Sequence, residues 1–249
     1  MKILTTIKRT PERNTRMKIG SDAQLITADV KYEVNPFDEL AVEEALRIRE
    51  ARGEVEVIAV TIGTEASREQ LLAALAMGAD RAVLVQADEE LDALQTAALL
   101  AAVVRKESPD LVLMGKLAVD DENGQICGML AGRLDWPQAN FASKILLADD
   151  AGGATVTCEV DGGLEEVAVD LPAVITTDLR LNEPRYASLP GIMKAKKKPM
   201  DVIAAADLGG VPAGRSRITA YRPLPARQAG VICKTTEELA RKLVEAKLV

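Results

Sequence analysis

The residues best placed to do chemistry follow an apolar run. Leu111 to Gly115 leads into Lys116, Leu117, Ala118 and Val119, then Asp120, Asp121, Glu122, Asn123, Gly124, Gln125 and Ile126. Three acids and two amides thus fall within residues 120–125. Such a loop, opening a helix, offers backbone N–H groups to a phosphate and polar side chains to ribose hydroxyls and an adenine edge. It reads equally as a polar loop that only caps a helix. Asp120 and Asp121 would hold Mg²⁺ only beside a phosphate. Neither G-x-G-x-x-G nor G-x-x-x-x-G-K-[ST] occurs, so the dinucleotide fingerprint and the P-loop are both missing.

A second segment runs Leu189, Pro190, Gly191, Ile192, Met193, Lys194, Ala195, Lys196, Lys197, Lys198. Four lysines crowd five positions in a chain whose formal net charge is -7. Three readings compete. A solvated charge run is the plainest. A nucleic-acid patch would want stacking aromatics, and none follows Tyr186 within the segment. A docking loop would use Leu189, Ile192 and Met193 as an apolar anchor, presented by a turn at Pro190-Gly191, with lysines steering an acidic partner.

Other constellations are thin. There is no histidine, which removes His-based triads, His metal ligands and His proton shuttles. Cys127, Cys158 and Cys233 are widely spaced with no C-x-x-C, so they read as free thiols in a reducing compartment. Glu159 and Asp161 lack a facing partner, and Asp161-Gly162-Gly163 reads as a hairpin turn. No nucleophile has a visible base, which argues against an enzyme acting alone.

The elements that must position these segments alternate strand and helix through the first half. Lys2 to Lys8 predicts a strand. Residues 9–31 are polar and turn-rich, with room for a short hairpin. A helix begins at Asn35-Pro36-Phe37-Asp38, with Asn35 as cap and Asp38 as first-turn acid, and stops at Gly53. Val55 to Gly63 is a buried strand, and Ser67 with Gln70 forms a capping-box pattern for the next helix. Strand RAVLVQ, helix DALQTAALLAAVVRKE and strand LVLMG follow. After Trp136 two glycine pairs and alternating residues predict antiparallel hairpins. PAVITTD returns to a buried strand. Beyond Leu189 prolines and scattered charge leave little periodicity until a last helix, TTEELARKLVEAKL, with Thr235 and Glu238 as its capping box. The expected fold is α/β: a doubly wound, mainly parallel sheet with helices on both faces, an antiparallel hairpin region and a C-terminal arm. The expected division is 1–188 for the α/β domain and 189–249 for the arm. In such a fold the ligand crevice lies at the carboxyl ends of the strands, where Thr5-Thr6, Asn35 to Asp38 and Gly115 to Ile126 should converge. No apolar run approaches the ~18 residues that span a bilayer, so no membrane insertion is expected.

Several long stretches resemble one family in the same order. Asp161 to Pro199, together with VNPFDELAVEEALRI, ALAMGADRAVLV, DLVLMGK and LDWPQ, closely resembles the β-subunit of electron transfer flavoproteins, over essentially the whole chain. The resemblance implies a heterodimer with an α-subunit. It implies electron uptake from acyl-CoA and related dehydrogenases, as in fatty acid oxidation, and delivery to a membrane quinone oxidoreductase. FAD would be held mainly by the α-subunit and a structural AMP by this chain. The AMP site would fall on Thr6, on Asn35, Pro36, Phe37 and Asp38, on Ile62, and on Gly115 to Ile126. The dehydrogenase recognition loop would be Leu189 to Lys198. The terminal helix would pack on the α-subunit.

Departures from the family pattern are specific. Gly124 stands where an amide is usual and Ile126 where a hydroxyl is usual. Cys158 stands where a basic residue is usual. Arg13 falls at the place of a tyrosine near the flavin. A bifurcating relative would carry a second FAD in place of AMP, with Asp-Gly-Asp-Thr in the loop. DDENG does not fit that, so AMP is expected. A stand-alone adenine-nucleotide module is the rival from another class. The missing presequence favours bacterial cytoplasm, or the mitochondrial matrix for a trimmed chain.

Overall fold

The computed structural model describes residues 1–87, 90–226 and 229–249; residues 227 and 228 of the expected arm lie outside them. Along the chain run β1 (Lys2–Thr6), β2 (Arg9–Pro11), β3 (Lys18–Ile19), β4 (Leu25–Ile26), β5 (Tyr32–Val34), α1 (Pro36–Arg52), β6 (Glu56–Gly63), α2 (Arg68–Met77), β7 (Arg81–Gln86), α3 (Ala93–Glu107) and β8 (Leu111–Gly115). Then come α4 (Ile126–Leu134), β9 (Gln138–Leu147), β10 (Gly153–Val160), β11 (Gly163–Asp170), β12 (Ala173–Thr177), α5 (Leu189–Ala195), β13 (Met200–Ala204) and α6 (Thr236–Glu245).

One nine-stranded sheet holds the order β11-β10-β9-β12-β8-β1-β6-β7-β13. Strands β9 to β13 by way of β12, β8, β1, β6 and β7 pair in parallel; β10 and β11 pair antiparallel, as the glycine pairs predict. Strand side chains alternate between two cores, as the two-residue period of a strand requires. Ile3, Val57, Leu84, Leu111 and Ile175 face one side, under α1 and α2. Leu4, Ile58, Val83, Val112 and Val174 face the other, under α3 and α4. The helices therefore cover both faces, and each fully buried Leu or Ile contributes roughly 1.5–3 kcal/mol.

The structure corrects several local expectations. The predicted strand 2–8 ends at Thr6, because the Lys8 N–H leaves the ladder and donates to Asp38 Oδ2 at 2.8 Å. Ser67 does not cap α2. A 3₁₀ turn, Glu65–Ser67, runs straight into the helix, putting Ser67 in helical conformation with its side chain off the helix end. The region after Leu189 is more ordered than its composition suggests. Leu189–Ala195 is helical, and β13 joins the sheet edge beside β7 with Ile203 buried. Only one side chain of β13 is buried, so no alternating pattern marked it. Thr235 accepts from the Glu238 N–H at 3.2 Å as expected, but the Glu238 carboxylate accepts from the Lys234 N–H at 3.0 Å rather than from Thr235.

Beyond β13 the chain crosses the surface. Asp92 caps α3 and also accepts the Ser216 N–H at 3.1 Å, and Gln95 donates to the Pro212 carbonyl at 2.9 Å. The Tyr221 N–H donates to the Ala23 carbonyl at 2.8 Å. Helix α6 buries none of its side chains.

Candidate functional site

Strand order reverses between β1 and β8: the chain moves from β1 to β6 and β7, then returns to β8 on the other side. The crevice at that switch point is where doubly wound sheets place ligands. The first turn of α1 is knotted into it. Asp38 spans the two strand ends, accepting the Lys8 N–H on Oδ2 and the Gly115 N–H on Oδ1 at 3.0 Å. Thr177, at the end of β12, donates its hydroxyl proton to the Phe37 carbonyl at 2.9 Å. Asn35 does not cap α1 with its side chain, contrary to expectation. It is drawn instead to the loop after β8, donating to the Leu117 carbonyl at 2.9 Å and accepting the Val119 N–H at 3.2 Å. Two contacts to a loop whose backbone groups would otherwise lack partners outweigh one cap contact.

Gly115 allows this convergence. A Cβ there would lie 2.7 Å from Asp38 Oδ1, 2.7 Å from Phe37 Cβ and 2.9 Å from the Phe37 carbonyl carbon. Thr6 and Ile62 stand at the carboxyl ends of β1 and β6 on the other flank. Asp120 and Asp121 take the Lys8 ammonium at 2.8 and 3.1 Å. That pairing offsets acid charge in a loop expected to meet a phosphate, and it occupies the two carboxylates considered for Mg²⁺.

Helix α4 begins at Ile126 with no side-chain cap, so the N–H groups of its first turn lack intrahelical acceptors. Gly124 adopts a φ of +59°, and residues 120–125 are exposed. Amides also visit that left-handed region, which explains how Gly124 replaces one without rerouting the loop. A cavity of about 470 Å³ opens beside it, lined by Lys116, Gly124, Gln125, Gly128 and residues of β9 and β12 that include Asn140, Phe141 and Thr176. Lys116 pairs with the buried Asp178 at 2.9 Å, its ammonium 5.0 Å from the Phe37 ring and 5.5 Å from the Phe141 ring. Uncapped N–H groups at a helix N-terminus suit an anionic group such as a phosphate.

A family model described as the electron transfer flavoprotein domain matches residues 22–208. This chain belongs to the electron transfer flavoprotein family. It is 47% identical over 248 residues to "Electron transfer flavoprotein subunit beta, mitochondrial" of Oryza sativa subsp. indica. It is 46% identical over 250 residues to the subunit beta of Homo sapiens and 45% over 244 residues to that of Bradyrhizobium diazoefficiens. Each alignment takes in 98% of this chain and 97% of the relative.

For an electron transfer flavoprotein chain, the second candidate segment has an unexpected shape. The Pro190-Gly191 turn is instead the first turn of α5, where proline is preorganised and Ser188 caps by accepting the Gly191 N–H at 3.1 Å. Leu189, Ile192 and Met193 share one helix face and are 79%, 44% and 74% exposed. Lys194, Lys196 and Lys197 are exposed around them. Lys198 is not: its ammonium donates to the Leu75 and Ala79 carbonyls at 2.9 and 2.6 Å.

Sequence reasoning missed Lys8, Thr177, Asp178 and Phe141. The signal for Thr177 and Asp178 was present, since a polar pair at the carboxyl end of a buried strand points into the crevice. Phe141 carried none: it has a φ of +59° where the pairing of β9 with β12 shifts register, a feature of strand pairing rather than of local sequence. Arg13 pairs with Glu33 at 3.3 Å, and Cys158 is buried against the core in β10. Among the described residues no group of three acids or thiols could hold a metal, and no helix is long and apolar enough to cross a membrane.

The Asp38 clamp carries a pH signature. Burial pushes its carboxyl from 3.8 up to about 7, against the opposing pull of the Lys8 and Gly115 N–H groups. Between those values the folded chain holds more protons than the unfolded one, so its contribution to stability falls as pH rises through the window. The full shift corresponds to roughly 4 kcal/mol. Denaturant melts at pH 5 and 7.5 should show Asp38→Asn losing less stability across that interval than the parent. Equal losses would remove Asp38 as the source.

Proposed function

We propose that this chain is the β-subunit of a heterodimeric electron carrier of the housekeeping type. With its α-subunit it takes electrons from acyl-CoA and related dehydrogenases and delivers them to a membrane quinone oxidoreductase. FAD, held mainly by the α-subunit, supplies the redox chemistry, and this chain holds a structural AMP. The observation that carries the reading is the clamp of Asn35, Asp38 and Gly115, which fixes the loop 115–126 over the strand ends. The uncapped first turn of α4 would take the phosphate, and Thr6 and Ile62 would flank the nucleotide on β1 and β6.

The α-subunit reading draws support from the described residues of the expected arm, 189–249, that lie beyond β13. Ile218, Leu224, Val231, Ile232, Val244 and Leu248 are 62–92% exposed, apolar side chains that one chain alone leaves in water. Helix α5, with its exposed apolar face and lysines, is the dehydrogenase contact. Extraction of nucleotide from the purified heterodimer tests the assignment. One FAD and one AMP per heterodimer is the expected stoichiometry. Two FAD would identify a bifurcating subunit, and a monomer that acquires no flavin with any α-subunit would identify a stand-alone nucleotide module.

A further inference from the structure

Helix α5 has seven residues, too few to be stable alone, and it turns its apolar side chains outward. Only Ala195 of the helix is buried. Ala195 and the close approach of Gly191 seat it on α2.

Two cations flank it, one on each side. Before α5 the chain runs along α1, whose residues 40, 43, 44, 47 and 50 share one face. Arg185 donates to Glu43 Oε2 through its backbone N–H at 3.1 Å and Nε at 2.7 Å, to Glu43 Oε1 through Nη2 at 2.9 Å, and to Glu50 Oε2 at 3.2 Å. Glu43 is 5% exposed, so this fork satisfies a buried carboxylate. Asn182 adds a bond to the Leu40 carbonyl at 3.1 Å. After α5, Lys198 reaches back to the C-terminal end of α2, where the carbonyls of Leu75 and Ala79 converge and the helix dipole favours a cation. Gly191 is pressed against the same end: a Cβ there would lie 2.6 Å from the Ala76 carbonyl oxygen.

We propose that Arg185 and Lys198 are positioning residues that clamp α5 between α1 and the end of α2, so that its apolar face is presented to the dehydrogenase in a fixed pose. The four lysines then divide by task. Lys194, Lys196 and Lys197 face water and steer encounter; Lys198 holds the helix. The inference rests on the docking role of α5 proposed above. A preorganised helix avoids an ordering cost at the moment of binding.

The test uses the intact heterodimer and three variants. Lys198→Met leaves no charge stranded; Arg185→Lys keeps the charge but loses the fork; Lys197→Met is the comparison. Amide hydrogen exchange over residues 189–195, measured without any dehydrogenase, should quicken about tenfold in the first two and stay at the parent rate in Lys197→Met. With a substrate-reduced acyl-CoA dehydrogenase as electron donor, Lys198→Met should raise KM more than it lowers kcat and keep the parent's salt dependence. Lys197→Met should flatten that dependence. Parent-like exchange in Lys198→Met, or a flattening equal to that of Lys197→Met, overturns the clamp. Faster exchange with an unchanged KM keeps the clamp and overturns the docking reading instead.

Discussion

Gly115→Ala is expected to be among the most damaging single-atom additions to this chain. The new methyl would meet Asp38 Oδ1, Phe37 Cβ and the Phe37 carbonyl carbon at or below 2.9 Å. None of these can step aside cheaply. Phe37 is tied by its carbonyl to Thr177, and Asp38 is tied to Lys8 and Gly115 itself. Overpacking of this kind costs about 3 kcal/mol or more, which in a chain of this size lowers Tm by about 10 °C. Because the displaced groups also hold the loop 115–126, the proposed AMP site predicts a heterodimer that purifies with less than one AMP. The comparison is Gly132→Ala in α4, where a Cβ meets nothing within 4 Å. That variant should melt at or slightly above the parent, since alanine favours helix over glycine by about 1 kcal/mol. A Gly115→Ala protein that melts with the parent and retains AMP would show that the crevice is not crowded as described.

Leu189→Ala should act on electron uptake with little effect on stability. The side chain is 79% exposed and touches no core, so truncation removes nothing from the fold. If Leu189 enters an apolar pocket on the dehydrogenase, losing most of a buried leucine costs about 1.5–3 kcal/mol, or roughly 10- to 100-fold in kcat/KM. FAD content and the heterodimer should be unchanged. The parent's uptake should weaken as salt rises, because charges on exposed lysines are screened beyond about 10 Å at 0.1 M. Leu189→Ala should retain that salt dependence while losing rate. Loss of flavin or of the α-subunit in this variant would refute a docking role, and a salt-independent parent would remove the steering one.

The two variants probe opposite kinds of residue. Gly115 matters for what it lacks, in a crevice where three elements meet. Leu189 matters for what it leaves in water. The proposed reading needs both: a crevice held in shape at the strand ends, and an exposed helix that partners can reach.

Much of this was legible in the residues themselves. The short apolar runs of β1, β6, β7 and β8, and the helical stripe of Phe37, Ala41, Ala45 and Ile48 in α1, are local properties, and local propensities were enough to arrange them. The doubly wound order followed from their alternation, and the crevice followed from that order, which gathered Thr6, Asn35 to Asp38 and Gly115 to Ile126 before any contact was visible. Strand β13 and helix α5 were not legible, because an edge strand with one buried side chain carries no alternation, and Pro190-Gly191 inside a seven-residue helix reads as a turn.

Only the tertiary structure could assign the polar side chains. Asn35 was a proper cap by sequence, yet its amide bonds residues more than eighty positions away, because a loop backbone nearby was short of partners. Asp38 looked like a first-turn acid and is a buried bridge between two strands. Lys194, Lys196, Lys197 and Lys198 are the same residue type in one short run, and nothing local separates them. The fold does, by bringing the C-terminal end of α2 within reach of one ammonium and leaving the other three to water. Apolar side chains respond to burial, which periodicity predicts; hydrogen-bonding side chains respond to whichever unsatisfied group lies within about 3 Å, which only the folded chain specifies.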